Sequence, residues 1–157
     1  MRTMRHADRV RSTEWAYEKL AEVNMIFLAM NDDIPYCVPV SHIVWDGKVY
    51  FHSANRGLKS ELLKKDPRVC VTAVAKATPD IPGMTVQYQS VVAYGRAEVV
   101  NDVEEKVEAL RRICNLHTPG NPDNEDCSVR GGQREDVVVY RILIDQISGK
   151  ERGPKVK

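Results

Sequence analysis

The chain has 157 residues, of which 43% are hydrophobic and 29% charged, a composition that fits a single globular domain over residues 1–157. Basic and acidic side chains number 23 and 22 and leave a net charge of +1, so no global positive field recruits nucleic acid or an anionic membrane. No run approaches the roughly 18 apolar residues of a membrane helix, and the start lacks an apolar signal segment, so we expect a cytoplasmic protein.

Both ends of the chain are basic. Residues 1–11 form an arm with four arginines, and the last eight residues hold four further cations: Arg2, Arg5, Arg9 and Arg11, then Lys150, Arg152, Lys155 and Lys157. Chain ends are commonly solvated, and we expect that of both segments rather than a specific polyanion contact.

The cysteines and histidines are scattered along the sequence. Cys37, Cys70, Cys114 and Cys127 have no close pair spacing, so neither a CxxC redox motif nor a zinc ribbon is present. We expect core thiols and no metal site.

The first predicted elements are a helix and two strands. Ser12 can cap a helix that runs to about Val23, and the apolar run 25–30 predicts a buried strand. A polar turn then leads into a second strand, 35–45, antiparallel to the first. Because Pro39 cannot donate to a ladder, this second strand lies at an edge or carries a bulge there.

Asp46-Gly47 is a strong hairpin signal, since a primed two-residue turn needs positive φ at both positions. The register that follows pairs Trp45 with Lys48, Ile43 with Tyr50, Ser41 with His52, and Pro39 with Ala54. We expect these residues on a polar and aromatic face that looks at solvent, a partner or a ligand. The other face is the expected core, interrupted by His42 and Ser53: Val38, Val40, Val44, Val49 and Phe51.

The segment after this hairpin predicts a turn and a short helix over 58–65. Unpaired N–H groups of its first turn would lie near Ser53, Asn55, Arg56 and Lys59, which is the chemistry of a phosphate site. A solvated helix start with an ordinary basic surface would have the same sequence.

The second half predicts two strands, 68–75 and 85–100, on either side of a loop over 77–83, with Gly95 at a bulge or bend. Asp102 and Glu105 resemble a capping box that opens a helix to about Leu116. Residues 117–136 are rich in Pro, Gly, Asn and Asp, so we expect a long loop there, and a last strand over 137–147.

About six hairpin-linked strands without βαβ alternation predict a mainly β (α+β) fold, an antiparallel barrel with peripheral helices. The order of segments resembles the pyridoxamine 5′-phosphate oxidase-like flavin-binding superfamily, and within it the nitroimidazole-resistance proteins. The resemblance spans Trp15 to Lys150. Its most specific part is YFHSA-x-x-G-x-K, here Tyr50 to Lys59, followed by SV-x-x-YGRAE, here Ser90 to Glu98.

The resemblance implies an FMN-binding split β-barrel that forms a homodimer, with FMN in a groove at the subunit interface. In that family pattern, the backbone of the strand before the hairpin lies along the edge of the flavin ring, and side chains after the hairpin line the site. Lys59 and Ser53 hold the phosphate, and the long strand contributes two residues. The implied cofactor-binding residues are Val40, Ser41, His42, Tyr50, His52, Ser53, Lys59, Gln89 and Ser90.

The activity that this resemblance implies is FMN-dependent reduction of a small aromatic or nitro compound. His52 is the candidate catalytic residue, as a proton donor or hydrogen-bond partner on the substrate side, because its ordinary pKa of about 6.5 suits proton delivery near neutral pH. His52 could equally hydrogen-bond the flavin phosphate or a neighbouring strand. On the core face, His42 is expected to be a buried histidine with its hydrogen bonds satisfied.

Other functions stay open at this stage. A non-catalytic flavin or haem binder, or a dimeric module without cofactor, would have the same fold. Pyridoxamine 5′-phosphate oxidase activity is a further alternative, although the carboxy-terminal region is shorter than in true oxidases, where additional basic residues bind the substrate phosphate.

Overall fold

A computed structural model describes residues 5–153, so Arg2, Lys155 and Lys157 of the basic ends lie outside the described part. After a single 3-10 turn at Ala7–Arg9, the described chain forms eight strands and four helices. The strands are β1 (Val10–Arg11), β2 (Met25–Met30), β3 (Tyr36–Ser41), β4 (Ile43–Trp45), β5 (Lys48–Ala54), β6 (Arg68–Asp80), β7 (Thr85–Val99) and β8 (Val137–Arg152). The helices are α1 (Thr13–Glu22), α2 (Leu58–Lys65), α3 (Val103–His117) and α4 (Asn124–Gln133).

All strands join one antiparallel sheet in the order β3-β2-β6-β7-β8-β5-β4, with β1 paired to β8. The two ends of this order, β3 and β4, are separated in sequence only by His42, so chain continuity closes the curled sheet into a split barrel. The predicted mainly β split-barrel fold is therefore confirmed. The expected count of six strands is wrong, since the predicted strand 35–45 breaks at His42 and the arm contributes β1.

The barrel encloses the main core, and α1 plugs one side of it. Ser12 accepts a hydrogen bond from the Trp15 N–H (3.2 Å) and so caps α1 as predicted, and Ala16 and Leu20 are fully buried among the strands. Gly149 of β8 lies directly under the Trp15 ring, where a Cβ would clash.

A second, smaller core lies outside the barrel, between α3 and the β4–β5 hairpin. Its buried residues include Ile43, Tyr50, Ala109 and Ile113. The face that carries Ile43 and Tyr50 is therefore not the open polar face that the hairpin pattern predicts, because α3 covers it.

The Asp46-Gly47 turn forms with φ of 50° and 68°, as a primed turn requires. Two predicted cross-strand pairs occur, Ile43 with Tyr50 and Trp45 with Lys48, and Val44 pairs with Val49 between them. The predicted pairs Ser41–His52 and Pro39–Ala54 are wrong, since β3 leaves the hairpin and pairs with β2. As expected, Pro39 lies on an edge strand.

The expected loop 117–136 is wrong, since it contains α4. Its Gly, Asn and Asp residues are weak helix formers, but tertiary packing overrides local propensity. A Cβ at Gly132 would clash with Val107 of α3, and one at Gly131 would lie 3.1 Å from Leu110. The two glycines thus allow α4 to pack closely against α3.

Several boundaries also differ from expectation. β6 continues through most of the predicted loop 77–83 to Asp80, and β8 extends five residues beyond Ile147. The predicted bulge at Gly95 occurs, with a register shift between Tyr94 and Gly95. Within residues 5–153, no helix is long and apolar enough to cross a membrane.

Candidate functional site

The candidate site is built at the point where β5 ends and α2 begins. Gly57 has φ of +100°, which favours glycine, and turns the chain into α2. No side chain of residues 5–153 caps the first N–H groups of α2, and Lys59 lies within this first turn. We call Ser53, Lys59 and the first turn of α2 the cradle.

Lys59 is half-buried, and its ammonium lies 5.6 Å from the centroid of the Phe51 ring. Among residues 5–153, no carboxylate lies within 4.0 Å of this ammonium. Burial without a compensating charge lowers the pKa of Lys59. A cation held this way beside uncapped N–H groups is suited to bind an anion such as a phosphate.

Two polar residues predicted near this phosphate site are used otherwise. Asn55 donates its backbone N–H to the Asp136 carbonyl (3.1 Å) and its amide to the Glu135 carbonyl (3.0 Å), so it holds the segment before β8. Arg56 is exposed, and its charge helps to lower the pKa of Asp136.

His52 lies on the face of β5 opposite Ser53, because neighbouring side chains in a strand point to opposite faces. The imidazole is exposed, yet desolvation by its surroundings, together with the positive charges of Lys59 and His117, lowers its pKa. At neutral pH the ring is therefore neutral, and it can donate one hydrogen bond and accept another.

His52 lines a cavity of about 610 Å³ beside the two helices. We call this cavity the α3–α4 groove. Its other walls come from α3, from α4 and from the start of β8: Leu110, Ile113, Cys114, Cys127, Ser128, Arg130, Gly131, Gln133, Arg134 and Val137. The walls are mostly apolar, and the arginines at its edge are already paired, Arg130 with Asp126 and Arg134 with Asp136. The groove is therefore suited to an uncharged ring.

Tyr50 does not reach this groove. It is 2% exposed, and its hydroxyl donates to Glu105 of α3 (2.9 Å), which also accepts two hydrogen bonds from Arg141 (2.8 and 3.0 Å). Burial and the neighbouring Glu105 raise the pKa of Tyr50 to about 12. This geometry does not support the predicted role of Tyr50 in a cofactor site, because its hydroxyl is already hydrogen-bonded to Glu105 and so holds α3 on the sheet.

Val40, Ser41 and His42 form the seam where β3 passes into β4. Val40 belongs to the barrel core and Ser41 is half-buried. His42 is 1% exposed, with its Nε2 2.8 Å from the Leu20 carbonyl oxygen, while its Nδ1 has no partner among the described residues. The predicted burial of His42 is confirmed, but only one of its two nitrogens is satisfied.

His117, at the end of α3, is not among the cofactor-binding residues that the resemblance implies. Its Nε2 donates to the backbone carbonyl of His42 (3.1 Å), and its charge would lower the pKa of both His42 and His52. No sequence signal connects His117 to the seam, since the contact spans 75 positions.

Gln89 and Ser90 lie far from the cradle of the same chain. Ser90 pairs with Lys150 of β8, whereas His52 pairs with Val139 at the opposite end of that strand. The eleven residue steps from Val139 to Lys150 correspond to roughly 36 Å of extended strand. Gln89 also donates within its own chain to Glu151 (2.7 Å). The structure thus places Lys59 near Phe51 and close enough to His52 to influence its pKa, with Ser53 on the opposite face of β5 from His52, and leaves Gln89 and Ser90 far from this end.

No cluster of three or more His, Cys, Asp or Glu residues that could hold a metal ion occurs within residues 5–153. All four cysteines are free, and Cys37 and Cys127 are exposed rather than core thiols.

The sequence matches the family described as pyridoxamine 5′-phosphate oxidase over residues 12–151. Among solved structures, a candidate 5-nitroimidazole antibiotic resistance protein from Bacteroides thetaiotaomicron is 25% identical, with a TM-score of 0.76 over 90% of this chain and 86% of that chain. An FAD-binding protein from Mesorhizobium loti is 26% identical, with a TM-score of 0.68 over 91% and 95% of the two chains.

A conserved hypothetical protein from Mycobacterium tuberculosis shares the fold over nearly the whole of both chains, with a TM-score of 0.79, 21% identity, and coverage of 99% of this chain and 96% of that chain. No curated protein matches the chain.

Proposed function

The chain belongs to the pyridoxamine 5′-phosphate oxidase family, and on that premise we propose that it binds flavin mononucleotide between two copies of itself and reduces small aromatic or nitro compounds. The observation that carries the proposal is the cradle. A half-buried ammonium without a described counter-charge, next to uncapped helix N–H groups, fits the phosphate of such a cofactor.

Lys59 and Ser53 would hold the phosphate, and the uncapped N–H groups of α2 would donate hydrogen bonds to its oxygens. The flavin, when bound, supplies the electron transfer. His52 would hydrogen-bond the substrate or pass it a proton, and the apolar walls of the α3–α4 groove would exclude water from an uncharged ring.

Two copies are proposed because one chain cannot bring all the implied cofactor residues together. On the outward face of β2, β6 and β7, which no described helix covers, the barrel exposes a continuous set of uncharged residues. We call it the outer sheet face: Met25, Phe27, Cys70, Thr72, Val74, Val92 and Tyr94. Phe27 is 47% and Tyr94 53% exposed, which is typical of an interaction surface rather than a solvated one.

Ser90 lies at the edge of this outer sheet face, because it pairs with Val74. If two outer sheet faces pack with opposite strand directions, the Ser90 end of one chain lies over the cradle end of the other. The two separated groups of residues then belong to one site made by both chains.

The test is an absorbance spectrum and FMN titration of purified protein, with Lys59→Ala and, as a matched control, Lys65→Ala on the exposed end of the same helix. We expect a bound-flavin spectrum that Lys59→Ala weakens and Lys65→Ala leaves unchanged. A protein whose spectrum does not change when FMN is added, or that shows an intense haem Soret band instead, would contradict the cofactor assignment.

The reductase assignment has a separate test. Reduced FMN-loaded protein is mixed anaerobically with a nitroimidazole, and flavin reoxidation is followed at several pH values. His52→Ala is expected to bind FMN normally and to reoxidise more slowly. An unchanged rate would remove His52 from the reaction.

A further inference from the structure

The hairpin that joins β6 to β7 extends beyond the rest of the sheet. β2 pairs with β6 only as far as Thr72, and β8 pairs with β7 only from Tyr88 onward. We call residues 79–86 the hairpin arm. In the described chain its residues pair with one another and have no further strand beside them.

The hairpin arm exposes apolar side chains at its tip. Ile81 is 83% exposed, Met84 93% and Val86 45%. The only charged residue of the arm, Asp80, accepts a hydrogen bond from the Gly83 N–H (3.1 Å) and so folds the turn. Apolar residues displayed on an ordered hairpin are costly in water and mark a contact surface.

The outer sheet face alone is too small for a stable dimer. Three strands about 4.8 Å apart, over five residues of about 3.3 Å each, give roughly 240 Å². Each partner in a stable complex buries roughly 800 Å². The remaining contact has to come from beyond this face, and the hairpin arm continues directly from it through Val74 and Ser90.

From these observations we infer that the hairpin arm of each subunit docks on the α3–α4 groove of a second copy of this chain, placing Ile81 and Met84 as its outer wall. This inference rests on the proposed interface, in which Ser90 lies over the partner's cradle. The five residue steps from Ser90 to Thr85 span about 17 Å of strand, enough to carry the arm past Lys59 and over His52.

The docked arm has a consequence for the substrate. The buried side chains of Leu110 and Ile113 and the exposed Cys127 line the groove, which is open to solvent. Ile81 and Met84 from the second copy would close that side with apolar surface. Two subunits would then determine together which uncharged ring fits beside His52.

Cys127 is exposed on α4, so a cysteine introduced on the hairpin arm can be crosslinked to it if the arm docks in the groove. The experiment treats Met84→Cys protein with a short bismaleimide in the presence of FMN. The background carries Cys37→Ser and also Cys114→Ser, because Cys114 lines the same groove. We expect a covalent dimer on a denaturing gel that is lost when Cys127→Ser is added. Glu18→Cys, exposed on α1, is the matched control and is expected to give none.

A dimer that binds FMN but forms no crosslink through Met84→Cys would overturn the docking of the arm and leave the proposed function intact. A crosslink that persists without Cys127 would also overturn it, because the arm would then lie elsewhere. A protein that is monomeric by light scattering would overturn both proposals.

A second measurement does not depend on crosslinker geometry. The reaction rate of Cys127 with a thiol reagent is compared between the Cys37→Ser protein and the same protein carrying Ile81→Ser and Met84→Ser. We expect the rate to rise at least threefold while the FMN affinity stays the same. An unchanged rate would show that the arm does not cover the groove.

Discussion

Tyr50 and His52 lie two residues apart on the same face of β5, yet their polar atoms have opposite fates. Tyr50 is buried, and its hydroxyl joins Glu105 and Arg141 in a closed network. His52 is exposed in a groove, close to a lysine that no described carboxylate neutralises. Paired polar groups secure a structure, whereas groups left without partners are available to a ligand.

Among these changes, Glu105→Ala is expected to have the largest effect, a loss of folding stability. It leaves the Arg141 guanidinium and the Tyr50 hydroxyl without their shared acceptor, so the free energy of unfolding should fall by about 2–3 kcal/mol. Denaturant titration measures this, with Glu104→Ala on the same turn as control. Equal effects of the two changes would show that the network adds nothing.

Lys59→Ala is expected to leave stability nearly unchanged and to weaken FMN binding. It removes a partly desolvated charge without a described partner, so the unfolding free energy of the flavin-free protein should change by less than about 0.5 kcal/mol. Its FMN affinity should fall by roughly 10–100-fold, the value of a hydrogen bond between charged groups. A large loss of stability with unchanged FMN affinity would show that Lys59 stabilises the fold and does not bind the cofactor.

Tyr50→Phe makes a smaller change to the network of Tyr50, Glu105 and Arg141, since it removes only the hydroxyl. Loss of one hydrogen bond to a carboxylate should cost about 1–1.5 kcal/mol at neutral pH. The folded pKa of about 12 lies above the ordinary value of 10, so the fold favours the neutral phenol and wild-type stability should decline as pH rises from 10 toward 12. The variant should lack that component, as comparison of the two unfolding curves across this range would show.

His52 gives the smallest expected effect. The positive charge of Lys59 helps to hold the pKa of His52 below its ordinary value, so an anion bound at Lys59 should raise that pKa. An NMR titration of the imidazole with and without inorganic phosphate measures the change, and Lys59→Ala should raise the pKa without phosphate. If phosphate leaves the titration unchanged in the wild-type protein, Lys59 and the anion site are not coupled to His52.

Much of the fold was readable from local sequence signals. The Ser12 and Asp102 caps, the Asp46-Gly47 turn and the bulge at Gly95 each depend on a few neighbouring residues, and the structure has all four. The order of segments from Trp15 to Lys150, with YFHSA-x-x-G-x-K as its most specific part, predicted the family and the split barrel. Local chemistry determines such features because caps, turns and bulges are formed by residues close in sequence.

Only the tertiary structure decided which of the candidate residues meet. Residues 124–133 become helical because two glycines let them pack on α3, β3 leaves the hairpin to pair with β2, and α3 buries Tyr50 through Glu105, 55 positions away. The distance between the cradle and Ser90 likewise follows from strand register along β8. These outcomes depend on contacts between segments distant in sequence, where burial and packing outweigh the local preference of any single residue.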